Sequence, residues 1–386
     1  MSPTLTASPG LRARSPMRHA RRLLLGAAAL PAALAAMAIP EGAEAASLTT
    51  SGSTIQYQAA AGETNGLRVF TDATGGIVLD DVVAVSETSP LCGTVDATSV
   101  RCSPSASTIA ALLGDGNDSV FTQKSVPLTV DGGAGDDTYL AGFADSRTEV
   151  RYTGNSGRDV ADYRHATSAV TVKKDGGASD GRSGDRDNIA PSVENLVGSR
   201  FDDTLEGSDT SQFERYDGLA GNDTMRGHGG PDIFLSGTAA DGADAIFGGN
   251  GMSPDTMSYD QRTRRVVVTA NFFDKDDGAA NEQDTVREIE SVLGGLAGDD
   301  IAGSGSSSTP LFLLGGRGGD RLTGTAGGDS LIGQAGADTL SGRGGDDSLA
   351  AIDGELDTLF CGDGIDTANR DRSEQTVLSC EAGFLQ

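Results

Sequence analysis

From Gly315 onward the chain repeats every nine residues, as GGRGGDRLT, GTAGGDSLI, GQAGADTLS and GRGGDDSLA. Asp320, Asp329, Asp338 and Asp347 hold the sixth place of each block, and Leu322, Leu331, Leu340 and Leu349 the eighth. A nine-residue step turns an α-helix through about 900°, which would send successive leucines to opposite sides. Twelve of these 36 residues are glycine, and each costs a helix interior about 1 kcal/mol. A long alternating strand is excluded as well, because Leu331-Ile332 runs straight into Gly333. What remains is a very short strand and a glycine-rich turn, repeated, so that neighbours stack and bury a shared core. The eighth-place leucines point inward as a ladder. The glycines allow turns that leave carbonyl oxygens exposed, and the aspartate adds a charged oxygen beside them.

Such turns offer the hard oxygen donors that calcium prefers, and the blocks resemble the hemolysin-type calcium-binding nonapeptides of repeats-in-toxin (RTX) proteins, G-G-x-G-x-D-x-U-x. The run Gly315-Gly316-Arg317-Gly318-Gly319-Asp320-Arg321-Leu322 matches every specified position, while Thr325, Gln334 and Arg343 replace the second glycine later on. The resemblance implies an all-β fold, a parallel β-roll or β-solenoid with two nonapeptides per coil and Ca2+ held between turns stacked on the same side. It names as calcium-binding positions Gly316, Gly318 and Asp320, then Gly327 and Asp329, Gly336 and Asp338, and Gly345 and Asp347. Asp320 then pairs with Asp338, and Asp329 with Asp347, one coil apart.

Decayed copies extend the pattern in both directions. Turns end at Asp118, at Asp137 after Gly133 and Gly135, and at Asp203, Asp223 and Asp232, with less regular ones at Asp244, Asp255 and Asp300. After Asp347 the spacing slips by one to Asp357 and returns to nine at Asp366. A longer duplication overlies the short one. Asp159-Val160-Ala161-Asp162-Tyr163 matches Asp255-Thr256-Met257-Ser258-Tyr259, and Val193-Glu194-Asn195-Leu196 matches Ile289-Glu290-Ser291-Val292. The modules are 159–232 and 255–329, and the match makes 303–310, which reads like a linker, one degenerate coil. The Gly/Asp-rich insert Val170–Asn188 reads as a surface loop extending one coil, with an extra calcium site as the alternative.

The expected organisation is an export signal at 1–45, an N-terminal β cap at 46–112, the roll at 113–356 and a C-terminal cap at 357–386. The signal reading rests on five arginines between Arg12 and Arg22, the apolar run Leu23–Ile39 and an Ala43-Glu44-Ala45 cleavage motif. An exported chain with four cysteines is expected to form disulfides. Three pairings are possible, and the local Cys92–Cys102 and Cys361–Cys380 are the favoured ones. The tail from Cys361 resembles the closing segment of secreted actinobacterial members of the family, which implies a disulfide-stapled cap.

The formal charge is −27, with 42 Asp against 14 Glu. That excludes a nucleic-acid partner, which requires a basic footprint, and the Asp excess favours turns over helices. After the signal no apolar stretch of about 20 residues follows, so membrane insertion is not expected. The chain has neither H-E-x-x-H nor G-x-S-x-G, and beyond the signal only His165 and His228 remain. A metalloprotease or a lipase is thereby excluded, and no catalytic residue is assigned. The expected function is a secreted, non-enzymatic protein whose β-roll folds on calcium. The alternative is a calcium-dependent adhesin or matrix protein with a cell-surface partner.

Overall fold

The computed structural model describes residues 45–386 apart from 124–125, 142, 144–148, 250–252, 272–275, 306, 372–375, 381 and 386. The expected export signal lies outside the described residues but for Ala45. Every regular element among the described residues is a strand, and none is a helix long and apolar enough to cross a membrane.

A rung such as Ser330–Ala335 is too short to bury a face alone. It pairs in parallel with Phe312–Arg317 on one side and Ser348–Ala351 on the other. Leu322, Leu331, Leu340 and Leu349 are fully buried between the rungs. Successive strands pass alternately to two faces, two per coil. One face is a single sheet of seventeen strands. It runs from the hairpins Cys92–Thr94, Ser99–Cys102 and Ile77–Asp80, through Gly66–Thr71 and Ser119–Gln123, to Ala382–Leu385. The other face is divided into three sheets of seven, six and seven strands.

The divisions fall at the duplicated modules. Val170–Lys173 opens a new sheet and pairs antiparallel with Gly181–Arg182, after which Asn188–Ile189 completes the preceding sheet beside Val150–Ser156. In the second copy Val266–Ala270, Gly278–Ala279 and Thr285–Arg287 repeat the manoeuvre. The insert is therefore in part a surface loop, exposed at 175–176, 178–179 and 183–184, and in part a seam buried at Asp180–Arg182, Asp185 and Asp187. Asp180 accepts the N–H groups of Lys173 (2.7 Å) and Ile189 (2.8 Å), and Asp187 those of Val150 (3.1 Å) and the Tyr163 hydroxyl (3.2 Å). Asp277 and Asp284 do the same for Thr269, Val286, Asp244 and Tyr259. Where the ladder changes sheets, buried N–H groups lose their carbonyl partners and need replacements. The carboxylates supply them.

The stacking crosses 112/113 and 356/357 without a break. Thr108–Leu112 pairs with Leu128–Ala134, and Thr339–Gly344 with Thr358–Asp363. Segment 303–310 belongs to a coil, with the Ser307 carbonyl accepting the Ala326 N–H at 2.9 Å. Both local disulfides, Cys92–Cys102 and Cys361–Cys380, are present.

The two copies differ beside the seam. Lys174 is buried, paired with Glu214 at 2.5 Å and bonded to the Val193 carbonyl at 2.7 Å. In the second copy buried Ala270 stands in Lys174's place by register, the next residue Asn271 donates to the matching carbonyl of Ile289 at 2.8 Å, and buried Leu311 stands in Glu214's place. The same interior thus accepts either a charged pair or an alanine with a leucine, the carbonyl being met by an amide from one residue further on. Lys174→Ala alone, the residue of the second copy, should cost about 3–5 kcal/mol by leaving a buried carboxylate without its cation. Adding Glu214→Leu should recover most of that loss in urea denaturation, and a double variant no better than the single would contradict the equivalence. Burial also pushes Asp187 and Asp284 up to about 8. Their folded forms hold protons that the unfolded chain releases above about 4, so this contribution favours folding at low pH and is lost as pH rises through 8. In millimolar calcium the urea midpoint should fall less steeply between pH 5 and 8.5 in Asp187→Asn than in the parent protein; an identical slope in that variant would count against the assignment.

Candidate metal centre

Each sixth-place aspartate folds back into its turn, because position one is glycine and leaves room. A Cβ at Gly315 would collide with Asp320 Oδ2 and the Gly333 carbonyl oxygen of the next coil, and one at Gly324 with Asp329 Oδ2 and the Gly342 carbonyl oxygen. Folded back in this way, the carboxylate reaches the preceding coil. Asp338 Oδ1 accepts the backbone N–H of Asp320 at 2.7 Å, and Asp347 Oδ1 that of Asp329 at 2.8 Å. The expected pairs are therefore adjacent, joined by side chain to main chain.

These bonds form two columns, one along each edge of the roll. Before the continuous sheet, Asp118, Asp137, Asp159 and Glu194 are linked in succession, with Asn65 N–H on Asp118. The same column continues as Asp232, Asp255 and Glu290, and as Asp329, Asp347 and Asp366. The other edge links Asp203, Asp223, Asp244 and Asp284, then Asp299, Asp320, Asp338 and Asp357. Asp300, expected from the module offset, is not in the column. Asp299 takes the place, and Asp300 is half-exposed, 3.2 Å from Arg265. Glu194 and Glu290 were missed as column members because the period was read on aspartate alone. The signal was present in the paired segments that carry them.

The second carboxylate oxygen divides the turns into two kinds. Oδ2 of Asp118, Asp137, Asp159, Asp223, Asp232, Asp320, Asp338 and Asp347 is buried and accepts no hydrogen bond among the described residues. In all eight the residue four places earlier has left-handed φ: Gly114, Gly133, Asn155, Leu219, His228, Gly316, Gln334 and Arg343. Arg343 (φ 75°) and Gln334 (φ 72°) keep that conformation without glycine, against a local cost of about 1–3 kcal/mol. At Ser199, Gly295 and Thr325 the residue is not left-handed, and its N–H bonds to Oδ2 of Asp203, Asp299 and Asp329 instead. Those three carboxylates are already satisfied. Gly318, Gly135, Gly336 and Gly345 are also left-handed, whereas Gly327 is not and packs against the Ser308 carbonyl. Oδ2 of Asp357 is unpaired too, in the turn where the spacing slips.

A buried, unpaired carboxylate oxygen next to a carbonyl from the neighbouring coil is half of a hard-cation site. Among the described residues no three Asp, Glu, His or Cys side chains gather around one point, so carbonyl oxygens must complete the set. Burial pushes Asp320 up to about 7, with the charge of Asp338 adding to it, and Asp223 up to about 8. A bound cation would relieve both effects.

The fold and its turns define a parallel β-roll with carboxylate columns suited to calcium. The family model of the RTX calcium-binding nonapeptide repeat matches residues 129–145, 210–241 and 314–349. The chain carries four copies of that repeat, which binds Ca2+. The matched segments hold Asp137, Asp223, Asp232, Asp320, Asp329, Asp338 and Asp347, while Asp118, Asp203, Asp357 and Asp366 lie outside them. No curated protein matches the chain.

The two kinds of turn differ in expected stoichiometry. Asp338→Asn should lower the calcium count by about one in titration calorimetry, whereas Asp329→Asn should leave it unchanged. Equal losses in both variants would refute the distinction.

Proposed function

We propose that the protein is exported by residues 1–45 and folds outside the cell on calcium, as a non-enzymatic binding protein. The observation that carries this reading is the repeated, buried and unpaired Oδ2 along both edges. Without a cation the columns set like charges one coil apart, and the slim leucine ladder must offset the ordering entropy of many glycines. Bound calcium supplies charge neutralisation and cross-coil coordination. Asp320, Asp338 and Asp347 would hold it through Oδ2, with Gly333 and Cys361 carbonyls among the oxygens nearest these carboxylates. Extracellular modules bind calcium with Kd of about 10⁻⁴–10⁻³ M, so at millimolar calcium each site adds on the order of 1 kcal/mol. Coupled sites then decide the outcome, and a low-calcium cytosol leaves the chain unfolded for export. A second reading is a calcium-dependent adhesin or matrix component, which the arginine-bearing face below favours.

In EDTA the chain without 1–45 should show a disordered circular dichroism spectrum and gain β signal as calcium is titrated into the millimolar range. A β spectrum indifferent to calcium would sink the first reading.

A further inference from the structure

The outer face of the continuous sheet carries a groove of about 600 Å³ over the rungs Val160–Asp162, Asn195–Val197, Glu214–Asp217, Asp232–Leu235, Thr256–Ser258 and Ser291–Leu293. A depression of about 470 Å³ adjoins it and shares Arg158 and Phe213. Five steps between rungs span about 24 Å. The floor is apolar, with Val197, Ile233, Leu235 and Leu293, and half-exposed Phe213 forms one wall.

Three exposed arginines, Arg158, Arg164 and Arg215, line this groove against two aspartates, Asp217 and Asp260. That reverses the balance of a chain with 56 acidic and 29 basic residues. Asp162 holds Arg164 at 2.7 Å, while Arg158 and Arg215 form no ion pair among the described residues.

The duplication supplies an internal control. By the matched rungs Asn195–Arg215 and Ser291–Phe312, Arg215 corresponds to Phe312, and Arg158 and Arg164 correspond to Pro254 and Asp260. The second copy forms the same strands without any of the three arginines, so the fold does not require them. Their concentration on one copy needs a reason outside folding.

We infer that this groove binds an acidic polysaccharide lying across the rungs, with Arg158 and Arg215 on its carboxylates or sulfates and sugar faces against Phe213 and the apolar floor. A peptide strand fits poorly, because the rungs' main-chain groups are already paired with their neighbours and leave its backbone without partners. A nucleic acid, with a charge every ~1.7 Å of duplex, carries far more charge than Arg158 and Arg215 can match. A polymer with about one charge per sugar suits arginines spaced several rungs apart. The inference gives the adhesin reading its ligand and rests on that reading.

The test uses the chain folded in calcium, with circular dichroism recorded on every sample, so that failure to fold is scored separately from failure to bind. Calorimetry against polygalacturonate, dextran sulfate, neutral dextran and polyglutamate separates the sources of charge. We expect binding to one or both anionic polysaccharides and not to dextran or polyglutamate. Arg158→Ala with Arg215→Phe, the second being the residue of the sister copy, should weaken that binding about tenfold or more. Arg321→Ala, on the opposite face of the roll, should leave it unchanged. Folded protein that binds neither polymer, equal binding by the double variant, or equal binding of polyglutamate would each overturn the inference.

Discussion

The bond from an aspartate Oδ1 to the backbone N–H of the previous coil is the contact on which the other features depend. It fixes the distance between turns, directs the side chain inward and holds Oδ2 where no protein donor reaches it. Glycine at position one makes room for the carboxylate at Gly315, Gly324, Gly333 and Gly342, while Leu113 and Cys361 hold that place before Asp118 and Asp366 with the bond kept. The left-handed residue at position two is a second condition, because it turns its N–H away. With that residue in an ordinary conformation, as at Thr325, the turn closes on itself and the carboxylate is spent internally.

Much of this was legible in the sequence. The nine-residue period in Asp and Leu identified the coil, the inward ladder and the 18-residue pairing, since each follows from a repeated backbone. The duplication made 303–310 a coil despite its linker composition. Two things were not legible. Gly/Asp-rich composition is the same for a solvated loop and for a seam of buried carboxylates, so the surface reading of Val170–Asn188 holds for its exposed turns and misses the burial of Asp180 and Asp187. The motif also treats Asp329 and Asp338 alike, and the difference lies in the φ of Thr325 and Gln334, which residue type does not dictate.

The two modules share a backbone and differ where folding does not choose. Lys174 with Glu214 gives way to Ala270 with Leu311 in the interior, and the arginines of the outer face give way to Pro254, Asp260 and Phe312. The interior exchange keeps a donor on the carbonyl of Val193 or Ile289 and removes the buried charges. Surface exchanges conserve nothing of the kind and are free to record a ligand.

The division of one face into three sheets has a consequence for how order spreads. In a stack whose coils touch only their neighbours, structure propagates along the axis one interface at a time. At each seam the divided face begins afresh, and only the continuous face carries its ladder across. The roll is therefore three short zippers on one side sharing a single spine on the other, and the spine carries an unbroken strand ladder from a coil near Asp118 to one near Asp366, while carboxylates such as Asp180 and the shared core bridge the seams.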